Sequence, residues 1–402
     1  MTAPSDAALA AKYRPLFDDI AAGAVQRERE RGLPYAAIRR LAAAGFTAVR
    51  LPIEAGGDGA TLAQLFALLT ELAAADPHIP QALRGHLAFV EDRLASAPGP
   101  DRDRWLARFA AGELVGNAVT EIGGVEVGRT ATRLDPARNG WTITGRKFYT
   151  TGSIFADWID TSAVLPDGTE VAALVARAQP GVTVSDDWDG FGQRLTGSGT
   201  TAFDAAAVAA DHVYDFSTRF PAQTAFYQLL LVAVLAGIAE AASRDAVAEL
   251  RGRARVYSHG AAAESRHDPQ LLEAVGRLSA SASAARAITA AAARSLGAVA
   301  AATGPDELST AKREAELEVS RAQLTVGELA LRSTTSLFDA LGASATSEKK
   351  ALDRHWRNAR TVASHNPVAF KARIIGDALV NSAEPPYEWY VGTPARTERK
   401  ES

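Results

Sequence analysis

The chain contains no cysteine, which excludes a disulfide, a thiolate metal ligand and a cysteine nucleophile. Its one methionine is Met1, so no internal sulfur is exposed to peroxide chemistry, although a bias towards Ala and Arg is the better account of that scarcity. An excess of charge of one sign is also lacking. The 43 basic and 47 acidic residues leave a formal net charge of −4, without the basic surplus that would make nucleic acid a partner. No apolar run reaches the ~18 to 20 residues that span a bilayer, and the longest, residues 229–239, stops well short. Residues 1–11 lack the basic start and apolar stretch of a signal peptide. A cytoplasmic protein without a membrane partner is expected.

What is present is size and a change of texture. At 402 residues the chain suits two or three domains. Up to Leu114 the apolar positions recur at three and four, as in Ile38, Leu41 and Ala42, with breaks at Leu51-Pro52, Gly56-Gly57-Asp58-Gly59 and Asp76-Pro77. From Gly116 the period becomes two and β-branched or aromatic residues cluster, as in Trp141-Thr142-Ile143-Thr144 and residues 171–175. Helical texture returns after Pro221, with long segments expected over residues 225–257, 269–303, 307–341 and 353–381. The spacing predicts an α+β chain. An N-terminal α-helical domain (1–115) precedes a central β-domain (116–218), and a C-terminal helical bundle (219–402) follows. Frayed ends are expected at residues 1–4 and 394–402.

Common catalytic patterns are missing. There is no Gly-x-Gly-x-x-Gly after a strand, no phosphate loop and no Gly-x-Ser-x-Gly elbow. The histidines at 78, 86, 212, 259, 267, 355 and 365 show no metal-ligand spacing, and no metal is expected.

Three segments do match a known pattern in order and spacing. They are Gly116-Asn117-Ala118-Val119-Thr120-Glu121, Thr144-Gly145-Arg146-Lys147-Phe148-Tyr149-Thr150-Thr151-Gly152, and Gly192-Gln193-Arg194-Leu195-Thr196-Gly197-Ser198-Gly199. With Asp353-Arg354-His355-Trp356-Arg357-Asn358-Ala359-Arg360, they make the chain resemble the acyl-CoA dehydrogenase family over nearly its whole length. The resemblance implies that family's fold: an N-terminal helical domain, a central β-barrel or sandwich and a C-terminal four-helix bundle. It also implies a flavin, with Val119, Thr120, Phe148 and Thr150 at its edge and faces. An isoalloxazine ring needs polar groups along one edge and flat apolar cover.

The departures from that family point to different chemistry. A dehydrogenase removes a substrate proton with a carboxylate, yet no Asp or Glu occurs between Thr361 and Gly376. His365 stands there, in Ser364-His365-Asn366-Pro367. That segment, Arg84-Gly85-His86 and Asn117 resemble the flavin-dependent monooxygenases of the same fold, such as dibenzothiophene monooxygenase and the amine and amino-sugar N-hydroxylases. The resemblance implies a two-component enzyme. A separate NAD(P)H:flavin reductase would supply reduced FMN, which forms a C4a-hydroperoxide with O₂ and oxygenates a small substrate at S, N or C. An imidazole can donate to that oxygen near neutral pH and an ionised carboxylate cannot. The catalytic candidates are His365, then His86, with Thr150 and Asn117 as further polar contacts.

The cofactor candidates are Asn117, Val119, Thr120, Phe148, Thr150, Arg266, Ser344 and His365. In the family, the arginine at the place of Arg266 reaches a neighbouring subunit's flavin. Gly342-Ala343-Ser344 replaces a glycine-rich turn at the nucleotide end, which favours FMN over FAD. A homotetramer is expected, packed through the Ala-rich residues 284–302. The alternatives are an FAD-dependent acyl-CoA dehydrogenase or oxidase with its base moved to Glu240 or Glu264, and a non-catalytic flavin-binding or helical assembly protein.

Overall fold

The computed structural model describes residues 4–121, 129–216 and 219–388; of the ends expected to fray, residues 1–3 and 394–402 lie outside these. Local signals set the helix limits. α1 (Asp6–Glu30) starts where the Ser5 hydroxyl accepts from the Ala8 N–H, and α3 (Leu62–Ala75) opens on a capping box between Thr61 and Gln64. α2 (Tyr35–Ala43) lies between them, and α4 (His78–Ala82), α5 (Arg84–Ala95) and α6 (Pro100–Ala110) follow. After the strands come α7 (Gln223–Arg251), α8 (Pro269–Ala301), α9 (Pro305–Leu341), α10 (Asp353–Ala363) and α11 (Val368–Asn381). The segment expected as one helix over 353–381 is therefore broken at residues 364–367. Pro367 lacks the N–H that helix continuation would need, and α11 restarts behind it.

The chain forms two compact units. The first runs to Gln81, takes in Asp189–Leu195 and resumes over Pro221–Pro385; the second holds Ala82–Trp188 and Thr196–Phe220. α1 to α3 and α7 to α11 belong to the first. Its bundle core includes Ala242, Leu250, Leu278, Leu337 and Leu341, and Gly237 of α7 sits against Ala73 and Thr70 of α3, where a side chain would clash. α7 is long and apolar enough to cross a membrane, but 89% of its most apolar window is buried among other residues of the chain.

The second unit contains α5, α6 and an eight-stranded mixed sheet. The strands are β1 (Val115–Ala118), β2 (Arg133–Ala137), β3 (Gly140–Lys147), β4 (Trp158–Val164), β5 (Glu170–Ala176), β6 (Val182–Val184), β7 (Thr201–Val208) and β8 (Val213–Asp215). Their order is β6-β7-β3-β2-β4-β5-β8, with β1 added parallel to β4. Ala118, Leu134, Ile143, Ile159, Val175 and Phe203 are among the residues of its core, and Trp105 of α6 is fully buried. Removing a side chain of that size from water stabilises the unit by roughly 1.5–3 kcal/mol.

Candidate functional site

In the second unit β1 and the residues after it present one group of candidates. β1 is pinned to β4 with Asn117 opposite Asp160 and Ala118 opposite Thr161, and the Thr161 hydroxyl donates to the Ala118 carbonyl at 2.6 Å. Beyond the strand, the Phe148 N–H donates to the Thr120 carbonyl at 2.8 Å, so Thr120 and Phe148 are held side by side. Val119 is exposed and Thr120 and Phe148 are half-buried. The rings of Phe148 and Tyr149 lie 3.9 Å apart, and Tyr149 is edge-on to Trp188.

Glu121 holds this corner together. Its carboxylate accepts from the Ala131 and Thr132 N–H groups, from the Thr132 hydroxyl, and from the Lys147 ammonium at 2.6 Å. Burial alone would raise its pKa, but Lys147 and the other donors outweigh that and hold it below the usual carboxylate range. Lys147 is fully buried and also donates to Ser162. Neither residue was among the sequence candidates. The available signal was Lys147 itself, a cation at an inward position of a strand.

His86 and Asn117 are brought together around β1. His86 lies on α5, nearly fully buried, and its Nδ1 accepts from the Val115 N–H at 3.2 Å; the neutral ring therefore carries its proton on Nε2. Its neighbour Gly85 faces Asn117, and a Cβ added there would lie 2.8 Å from Asn117 Oδ1. Asn117 Oδ1 is buried and has no hydrogen-bond partner among the described residues. A buried acceptor left in that state costs about 1–3 kcal/mol, so a ligand N–H at this point would recover free energy. Thr150, also fully buried, donates its hydroxyl to the Gly199 carbonyl at 3.0 Å and accepts from Thr201 at 2.8 Å. Its one proton is committed, and it can offer a ligand only an acceptor.

The other candidates belong to the first unit. His365 is exposed in the turn between α10 and α11, its N–H bonded to the Val362 carbonyl. Arg266 sits in a short 3₁₀ turn (Ser265–His267) and pairs with Glu264 at 2.6 Å, both side chains 56% exposed. Ser344 lies in the 3₁₀ turn Ala343–Thr346, which follows Gly342 at φ 68°.

This unit also holds a buried ionic network that sequence reasoning did not assign. His78 Nδ1 lies 2.8 Å from Asp76, and its Nε2 lies 3.2 Å from Glu28 as an ion pair without good hydrogen-bond alignment. Asp76 pairs with Arg27 and Glu28 with Arg357. Burial opposes charge on His78, but Asp76 and then Glu28 outweigh it and raise its pKa to about 9. Burial would likewise raise Glu28, yet His78 and Arg357 hold it at about 2. The network borders a cavity of about 410 Å³ that Asp245 and His355 also line. None of the residues expected at the flavin lines it. Among the described residues no cluster of His, Asp and Glu fits a metal ion.

Comparison with known proteins locates the chain. Residues 6–113 match the acyl-CoA dehydrogenase N-terminal domain and residues 229–370 the acyl-CoA dehydrogenase C-terminal domain. The probable FMNH₂-dependent monooxygenase SfnC of Pseudomonas putida is 28% identical, covering 94% of this chain and 96% of that protein. Dibenzothiophene monooxygenase of Mycolicibacterium goodii is 29% identical over 90% of this chain and 91% of its own length. The structure of FMN-bound TdsC from Paenibacillus sp. A11-2 superposes with a TM-score of 0.84 at 26% identity, covering 93% of this chain and 97% of that one.

Proposed function

The chain belongs to the acyl-CoA dehydrogenase family, and we propose that within it this protein is a two-component monooxygenase that takes reduced FMN from a separate NAD(P)H:flavin reductase. It uses that flavin and O₂ to place one oxygen atom on the S, N or C of a small organic substrate. The observation that carries this reading is His365 in a segment, Thr361 to Gly376, devoid of carboxylates. Relatives named as FMNH₂-dependent and dibenzothiophene monooxygenases support it, as does the FMN-bound neighbour.

The residues present fit a flavin. Asn117 Oδ1 is a buried acceptor awaiting a donor, which the N–H groups of a flavin's pyrimidine edge provide. When bound, reduced FMN supplies the two electrons that let O₂ give one oxygen atom to the substrate and the other to water. Val119 and Thr120 offer edge contacts, and Phe148 offers flat cover. Thr150 serves as an acceptor and orders the turn through Gly199. His86 keeps its proton on Nε2, fixed by the Val115 N–H, and is a steady donor. His365 is the proton donor to the reacting oxygen. Arg266 and Ser344 hold the phosphate, with Arg266 serving a neighbouring subunit in a homotetramer. The functional division into residues 1–115, 116–218 and 219–402 follows the change from helical to strand texture and back, and the protein works in the cytoplasm.

The test is anaerobic mixing with FMNH₂ followed by O₂, with oxygenated product measured across sulfur compounds, amines, amino sugars and aromatic substrates. Bleaching of tightly bound FAD by an acyl-CoA would instead support a dehydrogenase. A protein that binds no flavin in either redox state would support a non-catalytic role.

A further inference from the structure

We propose that Gln228 is a positioning residue: the amide oxygen it buries in α7 accepts from Gln323 and Asn366, and so fixes the turn that carries His365. The proposal deepens the reading above and rests on the role given there to His365.

Gln228 is anomalous for its place. It is 7% exposed on a long apolar helix, immediately before Leu229, Leu230 and Leu231, all buried. A leucine would satisfy the helical pattern there, and a buried amide is costly unless hydrogen-bonded. Its Oε1 takes two donors, Gln323 Nε2 of α9 at 2.7 Å and Asn366 Nδ2 at 2.6 Å. One acceptor taking two amide donors orients both partners, since neither carboxamide can turn over without setting oxygen against oxygen. The arrangement leaves Gln323 Oε1 buried without a partner among the described residues. An apolar contact would have avoided that cost.

The cluster acts on the turn. α10 ends at Ala363, and residues 364–367 pass to α11. On the α10 side the turn is held by main-chain bonds from the Ser364 and His365 N–H groups to Arg360, Thr361 and Val362. On the α11 side Pro367 has no N–H to give. Asn366, next to His365, supplies the tie there by reaching into the bundle at Gln228. The space beside it is a cavity of only about 10 Å³, bordered by Leu231, Val362, Gln323, Asn366 and Val368, room for about one water. With so little slack, the direction of the Asn366 side chain constrains the backbone at His365.

Flavin-free protein gives a readout that activity cannot blur. Hydrogen–deuterium exchange of a peptide covering residues 362–368 should quicken roughly tenfold in Gln228→Leu, because the variant removes a tertiary hydrogen bond that restrains that segment. Peptides within α8 should be unchanged. With reduced FMN, O₂ and a substrate, the same variant should form less product per flavin and more hydrogen peroxide. Gln228→Glu keeps an acceptor oxygen for the two amide donors, ionised or protonated, and should restore both readouts. Wild-type exchange in Gln228→Leu, or a Glu variant no better than the Leu variant, would overturn the proposal. If Gln228→Leu fails to fold, Asn366→Ala removes the same bond from the half-buried side of the turn and must give the same rise in exchange. If His365→Ala stays coupled while Gln228→Leu still loosens the turn, the role of His365 fails and the positioning stands.

Discussion

Replacing His78 by Gln removes the cation at the centre of the Glu28–His78–Asp76 network while keeping a side chain of similar size. In the folded protein the pKa of His78 rises from 6.5 to about 9, which corresponds to about 3 kcal/mol of stabilisation of the charged form. Because the folded pKa lies above the unfolded one, that stability is fully present below pH 6.5 and is lost as pH rises through about 9. His78→Gln should therefore cost about 3 kcal/mol at pH 6, or a melting temperature lower by about 4 °C for a chain of this length unfolding together. The gap should close towards pH 10, where the wild-type ring is neutral. Glu28 and Asp76 keep Arg357 and Arg27 in the variant, so collapse of the fold is not expected. Calorimetry of both proteins from pH 6 to 10 is the assay. A variant that melts with the wild type at pH 6, or a gap as wide at pH 10 as at pH 6, would refute the reasoning.

Gly85→Ala puts a methyl 2.8 Å from Asn117 Oδ1 and 3.0 Å from its Cβ; it should displace Asn117 and weaken FMN binding about tenfold or more, in line with overpacking costs of ~1–3 kcal/mol, as read by flavin fluorescence titration. His365→Ala should keep the fold and FMN binding while lowering oxygenation by roughly 10² or more, with the lost product appearing as hydrogen peroxide in single turnover; a coupled, fast variant would contradict the assignment. Burial pushes Glu316 up to about 7, only partly offset by Lys371, the Ala225 N–H and Lys312, so the stability it lends below pH 4.5 is lost as pH rises through about 7. Glu316→Gln should match the wild type near pH 4.5 and be more stable at pH 8 in urea unfolding, whereas parallel pH dependences would argue against it. Sedimentation at micromolar concentration should give a tetramer, and a 42.2 kDa species would contradict it.

The sequence exposes what repeats along the chain and hides what depends on distant pairing. Apolar spacing at three and four foretold α8 and α9 to within a few residues, and the switch to period two at Gly116 marked the strands. The break at residues 364–367 was less visible, although Pro367 was its cause, because the helical pattern resumes immediately in α11. His78 looked inert in a search for metal spacing. Its partner Glu28 lies far away in sequence, and Arg357 much farther still, so no local pattern marks the network. Gly85 was read as part of a motif, but its necessity comes from Asn117 on β1, whose side chain packs against it. Gln228 stood in plain view as a polar residue before a leucine run, and only the fold shows which donors it meets.

The burial of α7 also constrains how the protein is made. A helix of 29 residues with the length and composition of a membrane span leaves the ribosome before the α8 and α9 that cover it. Some 90 residues separate the end of α7 from the end of α9, which at ~5–20 residues per second is roughly 5–20 s of synthesis. α3, already made, can shield one side during that interval, Gly237 docking on Ala73. The other side stays uncovered by the chain until α8 and α9 emerge, so the pace at which they follow will bear on the yield of folded protein.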